Sequence, residues 1–180
     1  VWDVNSGGCL RTIICMSACN DVEVSPDGNV IYSAHQDGKI RLWDLRSGSA
    51  IKEVSGLHGG AATCVALAPD LSSLATLSRG DSTIRLLDPR TLKPTNALID
   101  SSFEVACNWH QVCFSPCGAY VASGSATGDV MVWNAAKGSL ETKLSGHEAP
   151  VYSVAWGADP GSLVTGDKDK CVIAWEPALS

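Results

Sequence analysis

Lys39-Ile40-Arg41-Leu42-Trp43-Asp44 (KIRLWD) is the stretch that decides the fold of this chain of 180 residues. It ends in a Trp-Asp pair, and similar pairs stand at Trp2-Asp3, Leu87-Asp88, Trp133-Asn134 and Trp175-Glu176. The steps between these pairs are 41, 44, 46 and 42 residues. Such a regular period indicates a repeat architecture, in which one unit cannot bury its own hydrophobic faces and must pack on its neighbours.

Each period contains short alternating segments separated by turn-forming residues. In the first period, strands are predicted at residues 21–25, 30–34, 39–43 and 50–54, with Pro26-Asp27-Gly28 as the first turn. The fourth period has Asp159-Pro160-Gly161 at the corresponding turn. Short strands between Gly, Pro, Asp and Ser clusters predict an all-β fold, and no window has a helical period. The predicted repeats lie approximately at residues 9–44, 50–88, 94–134 and 140–176, after the end of a further repeat at residues 1–4.

The fourth period resembles a WD40 repeat, because it combines Gly146-His147 with Thr165, Asp169 and Trp175. The resemblance implies a WD40-type β-propeller, with about four four-stranded blades over residues 1–180. In that family a His, a Ser or Thr, an Asp and a Trp form a hydrogen-bonded tetrad, so that each buried polar atom has a partner. The tetrad residues implied here are His147, Thr165, Asp169, Trp175, Ser33, Asp37, Trp43, Ser123 and Trp133. The second period departs from the pattern, since it keeps Asp81 but has Leu87 at the Trp position.

The number of repeats predicts an incomplete ring. Four repeats make up just over half of a seven-bladed propeller, and the chain opens in mid-repeat without an initial Met. We therefore expect the carboxy-terminal piece of a longer protein, with about three more blades upstream. An isolated arc would leave sheet faces uncovered at both ends.

Composition narrows the classes of partner. A net charge of −6 and a pI near 5.0 argue against nucleic acid or an anionic membrane as a direct partner. No run of 18 apolar residues is present, so no transmembrane segment is expected. Eight cysteines without a Cys-x-x-Cys pair favour a reducing, intracellular compartment.

No catalytic constellation is found, and we expect neither an enzyme nor a cofactor. The chain has no Gly-x-Ser-x-Gly, Walker loop, His-Glu-x-x-His or dinucleotide fingerprint. Cys107, His110, Cys113 and Cys117 have a spacing that superficially resembles a zinc cluster. Because residues 110–114 are predicted as a strand, His110 and Cys113 would face opposite sides, so no metal is expected there.

The remaining expectation is recognition of proteins or peptides by loops on one rim of the propeller. The segment 100–109 (DSSFEVACNW) lengthens the third period and carries Phe103 and Trp109 outside the regular strands. These two residues are either binding anchors or a plug folded back over the blade, and the sequence leaves both alternatives open. The candidate rim residues are Asn20, Asp21, His35, Gln36, His58, Arg79, Phe103, Trp109, Glu148 and Lys168.

Three segments, residues 17–22 (SACNDV), 33–47 (SAHQDGKIRLWDLRS) and 108–126, resemble the carboxy-terminal propeller of the autophagy-related protein 16 family. The resemblance extends over nearly all 180 residues. It implies a non-catalytic scaffold of the complex that promotes conjugation of a ubiquitin-like protein to phosphatidylethanolamine during autophagosome assembly. It further implies a cytoplasmic location, with a peripheral site at the forming autophagosome membrane, and adaptors or membrane-associated proteins as partners.

A WD40 substrate receptor of a cullin-type ubiquitin ligase is the alternative. Trp43-Asp44-Leu45-Arg46 and Leu87-Asp88-Pro89-Arg90 carry the Asp-x-Arg ending found in such receptors. An Arg in this turn can equally pair with a surface acid, an interaction that contributes less than about 1 kcal/mol. A long coiled-coil heptad pattern upstream would distinguish the autophagy alternative from this one.

Overall fold

The structure is a computed structural model that describes residues 1–157 and 161–176. In those residues it contains 15 strands and no helix, so the all-β prediction is confirmed. The strands are β1 (Cys19–Val24), β2 (Val30–His35), β3 (Ile40–Asp44), β4 (Ala50–Val54), β5 (Ala62–Leu67), β6 (Leu74–Ser78), β7 (Thr83–Leu87), β8 (Pro94–Leu98), β9 (Val112–Phe114), β10 (Tyr120–Gly124), β11 (Asp129–Asn134), β12 (Leu140–Ser145), β13 (Val151–Trp156), β14 (Leu163–Asp167) and β15 (Val172–Trp175).

The strands form four antiparallel sheets in which consecutive strands are hydrogen-bonded neighbours. Sheet 1 contains β1 to β4, sheet 2 β5 to β8, sheet 3 β9 to β12, and sheet 4 contains β13 to β15. Sheet 4 therefore has three strands within the described residues, whereas each of the others has four. The predicted turn Asp159-Pro160-Gly161 lies partly outside the described residues.

A β-bulge recurs at the same place in the first three sheets. The pairing of the third strand with the fourth shifts directly before the Trp-type positions Trp43, Leu87 and Trp133, because the fourth strand has one extra residue there. An extra residue of this kind increases the local twist and ends the regular pairing. The repeat is therefore conserved in backbone geometry even where Leu87 replaces the indole.

The turns need left-handed backbone at repeated positions. Gly28 and Gly118 supply it in the turn after the first strand of sheets 1 and 3, with φ of 69° and 71°. Sheet 2 has Leu71 at this position, with φ of 60°. A residue with a Cβ is strained by roughly 1–2 kcal/mol in this region, so the second repeat is less well suited to its own turn.

The hydrophobic core is divided among the interfaces between sheets. One cluster joins sheet 1 to sheet 2, for example Tyr32 and Leu42 with Leu74. A second joins sheets 2 and 3, where Leu77 and Trp133 take part, and a third joins sheets 3 and 4. Alternate residues of one strand face opposite neighbours, because successive side chains of a strand point to opposite faces. The inner strands β1, β5, β9 and β13 contact each other in that order around the axis.

The two outermost sheet faces are exposed. Val22 is 55% exposed on sheet 1, and Val172 is 71% exposed on sheet 4. Residues 1–16 lie beside sheet 1, where an isolated bridge pairs Trp2 with Cys9. Arg11 Nη1 donates to the carbonyl of Leu45 at 3.0 Å. These faces have the character expected of an arc of blades rather than a closed ring.

The strained turn of sheet 2 gives a stability prediction. Leu71 is half-exposed, so its replacement by Gly should relieve the left-handed strain and raise the free energy of unfolding by about 0.5–1 kcal/mol. The matched control is Gly28→Leu in sheet 1, where an added Cβ meets no atom within 4 Å and only the backbone is strained. That variant should lose about 1 kcal/mol in urea unfolding. A fall in stability for Leu71→Gly would contradict the strain argument.

Candidate functional site

Buried polar networks in sheets 1 and 4 contain five of the nine predicted tetrad residues, namely His147, Thr165, Trp175, Ser33 and Trp43. In sheet 4, Trp175 Nε1 donates to Thr165 Oγ1 at 2.8 Å, and His147 Nε2 lies 2.7 Å from the same hydroxyl. His147 Nδ1 lies 2.8 Å from Asp167 Oδ2. A carboxylate can only accept, so His147 Nδ1 carries a proton and donates to Asp167; in the neutral imidazole the Thr165 hydroxyl then donates to Nε2.

The carboxylate of this network is Asp167, and the prediction of Asp169 was wrong. Asp167 is two residues after Thr165 in β14 and therefore points to the same face of the sheet. Asp169 is exposed at the turn and only its backbone N–H contacts Asp167. The backbone N–H of Cys171 also donates to Asp167, and this hydrogen bond is the main cause of the lowered pKa of that carboxyl group.

In sheet 1 the imidazole comes from an unexpected position. Trp43 Nε1 donates to Ser33 Oγ at 2.7 Å, and His35 Nε2 lies 2.7 Å from that oxygen. His35 is 1% exposed, so its prediction as a rim residue was wrong. Asp37 is outside this network and instead binds the Arg41 guanidinium through both carboxylate oxygens, at 3.2 and 2.6 Å. Burial is the main cause of the lowered pKa of His35.

In sheet 2 His58 fills the histidine position, which corrects its prediction as a rim residue. Its side chain is fully buried, with Nε2 2.9 Å from Thr76 Oγ1 and Nδ1 3.3 Å from Asp81 Oδ1. Burial lowers the pKa of His58, and the nearby Asp81 carboxylate opposes that shift. Leu87, at the Trp position, is fully buried in the core between sheets 1 and 2.

Sheet 3 has no histidine network. Ser123 Oγ donates to the carbonyl of Gln111 at 2.8 Å, while the Trp133 indole N–H is buried without a hydrogen-bond partner. Ser123 and Trp133 therefore do not form the predicted tetrad. Phe103 is 3% exposed and packs edge-on against Trp133, with 5.0 Å between ring centroids. For Phe103, the structure favours the plug over the binding anchor.

Unlike Phe103, Trp109 is 68% exposed. Its loop is held at both ends, because Phe103 is buried on one side and His110 is fully buried on the other. His110 Nδ1 accepts the backbone N–H of Ala106 at 3.1 Å. Trp109 lies edge-on to Tyr152, with 6.3 Å between ring centroids, a neighbour that the sequence did not identify.

An amide contact crosses the inner rim beside Trp109. Asn108 Nδ2, in the loop before sheet 3, donates to Gln36 Oε1 of sheet 1 at 3.1 Å. Two further contacts join the first strands of sheets 1 and 2. Asn20 Nδ2 donates to the carbonyl of Ala62 at 2.7 Å, and Asp21 accepts the backbone N–H of Val65 at 3.0 Å. Asn20 and Asp21 therefore join neighbouring inner strands. The exposed rim candidates are Gln36, Arg79, Trp109, Glu148 and Lys168.

The spacing that resembled a zinc cluster does not form one among the described residues. His110 has its Nδ1 occupied by the backbone N–H of Ala106. Burial lowers the pKa of His110 to about 4 and raises the pKa of Cys113 to about 12. Both groups are therefore held in their neutral forms.

Comparison with known proteins agrees with the blade geometry. The family described as WD domain, G-beta repeat, matches residues 7–44, 105–134 and 138–176. The chain belongs to the WD40 repeat family. The matches cover the repeats around sheets 1, 3 and 4, and the strand arrangement of sheet 2 extends the same WD40 unit to the repeat with Leu87.

Relatives of this WD40 chain include proteins with autophagy-related names. Autophagy-related protein 16 of Arabidopsis thaliana is 36% identical over 97% of this chain and 34% of its own length. Protein tipD of Dictyostelium discoideum is 31% identical over 98% of this chain and 29% of its own length. Protein Atg16l2 of Mus musculus is 35% identical over 93% of this chain and 26% of its own length. The chain thus spans about a third or less of these relatives, and it is similar to the autophagy-related protein 16 family as predicted.

Within the described residues there is no helix with the length and apolar character needed to cross a membrane.

The buried histidines predict a pH dependence of stability. His35, His58 and His110 have lowered pKa values in the folded WD40 chain, whereas unfolded histidine titrates near 6.5. Below that pH the unfolded state binds more protons, so the free energy of unfolding should fall as pH drops from 6.5 toward about 4, the pKa of His110. Urea unfolding at several pH values between 7.5 and 5 measures this. His110→Asn, which keeps an acceptor for Ala106, should flatten the slope, and an unchanged slope would contradict the assignment.

Proposed function

We propose that this WD40 chain is the carboxy-terminal propeller part of an autophagy-related protein 16-like subunit. In this role it is a non-catalytic docking scaffold of the complex that promotes conjugation of a ubiquitin-like protein to phosphatidylethanolamine during autophagosome assembly. Similarity over 93% or more of the chain to a plant autophagy-related protein 16 and to mouse Atg16l2 supports this assignment. The scaffold acts in the cytoplasm, at the forming autophagosome membrane, through adaptors or membrane-associated proteins.

The observation that carries the docking role is the exposure of Trp109 on an anchored loop. An exposed tryptophan whose loop is already ordered provides contact area without a large further loss of conformational entropy on binding. Gln36 and Asn108 hold each other across the same part of the rim, which leaves amide groups beside the indole. A rigid aromatic residue with polar neighbours has the composition of a protein-binding hot spot.

The state of the histidines supports a role without catalysis. His35, His110 and His147 are at most 8% exposed, and the His58 side chain is fully buried. Three of the four lie in the blade networks described above, where a Ser or Thr hydroxyl occupies one ring nitrogen. A general base must reach the proton that it removes, and these imidazoles face the interior.

The cullin receptor has no support from the relatives described above. Arg46 and Arg90, which suggested it, are exposed in turns. We therefore propose only the autophagy scaffold.

Separate substitutions of the two aromatic residues of the third repeat test the docking surface. Trp109→Ala should leave thermal melting nearly unchanged and should abolish recovery of autophagy conjugation-complex components and their adaptors by the immobilised chain. Phe103→Ala should lower the free energy of unfolding by about 3–5 kcal/mol, because a buried ring against Trp133 is removed.

Trp2→Ala is the matched control, since Trp2 is 66% exposed but lies beside sheet 1 in residues 1–16. It should retain partner recovery. Equal loss of partners in the Trp2 and Trp109 variants, or recovery of a cullin adaptor in place of the conjugation machinery, would refute the proposal. Partners are identified by quantitative mass spectrometry of the eluted proteins.

A further inference from the structure

Three different metal-ligand groups converge at the turn between β14 and β15. One ligand atom from each of His147, Asp167 and Cys171 lies within 4.8 Å of the other two, and this is the one such group of three among the described residues. His147 comes from the loop before β13, whereas Asp167 and Cys171 flank the turn. The three side chains therefore join two separate segments of the same blade.

The positions of two of these ligands are fixed by the fold. The His147 and Asp167 side chains are 0% and 3% exposed and lie 2.8 Å apart. Cys171 is held near the same carboxylate, because its backbone N–H donates to Asp167 Oδ1 at 2.9 Å. The Cys171 residue as a whole is exposed.

Sheet 2 has a related cluster in which a hydroxyl takes the place of the Cys171 thiol. There His58 and Asp81 form a similar pair, and the third group is the Thr83 hydroxyl, 3.3 Å from His58 Nδ1 and 2.7 Å from Asp81 Oδ1. A neutral hydroxyl is a poor ligand for a soft or borderline metal ion, whereas a thiolate is a strong one. Replacement of a hydroxyl by a thiol converts a structural triad into a ligand set.

We propose that His147 Nδ1, Asp167 and Cys171 form a binding site for Zn²⁺, with water in the fourth position. In a tetrahedral zinc site with bonds of roughly 2.0–2.3 Å, ligand atoms are roughly 3.3–3.8 Å apart. The His147–Asp167 contact must therefore widen by about 0.5–1 Å to admit the ion. The Cys171 sulfur, which already lies within 4.8 Å of the other two ligand atoms, moves closer to them to complete the site.

The proton balance is simple. Zn²⁺ takes the place of the proton between His147 Nδ1 and Asp167, and the imidazole proton then lies on Nε2, directed at Thr165 Oγ1. Cys171 loses its thiol proton to solvent, so one proton is released for each ion bound. The Thr165 oxygen still accepts from Trp175, which preserves the link from the metal site to the core.

We expect bound zinc to stabilise sheet 4, the blade that has three strands within the described residues. The ion would tie the β14–β15 turn to the loop before β13. Lys168 and Lys170 are exposed in the same turn, and their positive charges oppose cation binding. We therefore expect a moderate affinity that a chelator readily reverses.

Protection of thiols from alkylation tests the site in the unmodified chain. The rate of iodoacetamide reaction at each cysteine is measured by peptide mass spectrometry, with chelator and then with Zn²⁺. Zinc should slow the reaction of Cys171 about tenfold or more, since a metal-bound thiolate is a poor nucleophile. Exposed Cys9, Cys19 and Cys117 serve as internal controls and should change little. Mg²⁺, which prefers oxygen ligands, should protect none of them.

An unchanged rate at Cys171, or equal slowing of all four exposed thiols, would overturn the proposal. Asp167→Asn then separates a three-ligand site from a single thiol that binds zinc alone. The amide oxygen can still accept from His147, but the anionic ligand is lost, so protection should require at least about tenfold more zinc. Protection of Cys171 at the original zinc concentration in this variant would also refute the three-ligand site.

Discussion

The constraint on which the structure depends is that each sheet has two apolar faces and can bury them only against neighbouring sheets. The core is consequently divided into interfaces, with Ile40 and Leu74 in one and Val121 and Leu86 in the next. Burial of apolar surface contributes roughly 25 cal/mol per Å², so an uncovered face forfeits a large part of the stability of its blade. This dependence on neighbours keeps the repeat period close to constant, because an altered unit must still fit the units on both sides.

The polar networks at these interfaces differ from sheet to sheet. The hydroxyl of the second strand is retained at Ser33, Thr76, Ser123 and Thr165, but its partners differ in each sheet. An indole N–H that is buried without a hydrogen-bond partner costs roughly 1–3 kcal/mol of stability relative to a bonded one. Trp133 of sheet 3 has such an N–H. The edge contact of Phe103 offsets part of this cost, about 0.5–1.5 kcal/mol. Packing between sheets is therefore sufficient to hold a blade whose polar network is incomplete.

The fold could be predicted from the sequence because the Trp-type positions and the Pro-containing turns act locally. The sequence analysis identified the wrong network partners at the ends of β2 and β14. There the answer depends on which face of the sheet each side chain points to. Ser33 to His35 and Thr165 to Asp167 are both two-residue steps, and the alternation of strand side chains could have identified His35 and Asp167. The position of Phe103 against Trp133 could not be found this way, because it depends on how a long loop closes over the sheet. Tyr152 beside Trp109 depends on the packing of two sheets.

The loop of the third repeat connects the fold to the proposed docking surface. In sheets 2 and 4, His58 and His147 fix the approach to the inner strand through a hydroxyl of the second strand. Phe103 replaces that hydrogen bond by packing, and seven residues later His110 provides a second anchor through the backbone of Ala106. The chain between these anchors has one large apolar side chain that faces solvent, Trp109, while Val105 is buried. The core of the repeat uses Phe103, Val105 and His110 of this segment but not the indole of Trp109, and a partner that docks on the rim would account for the ordered exposure of that side chain.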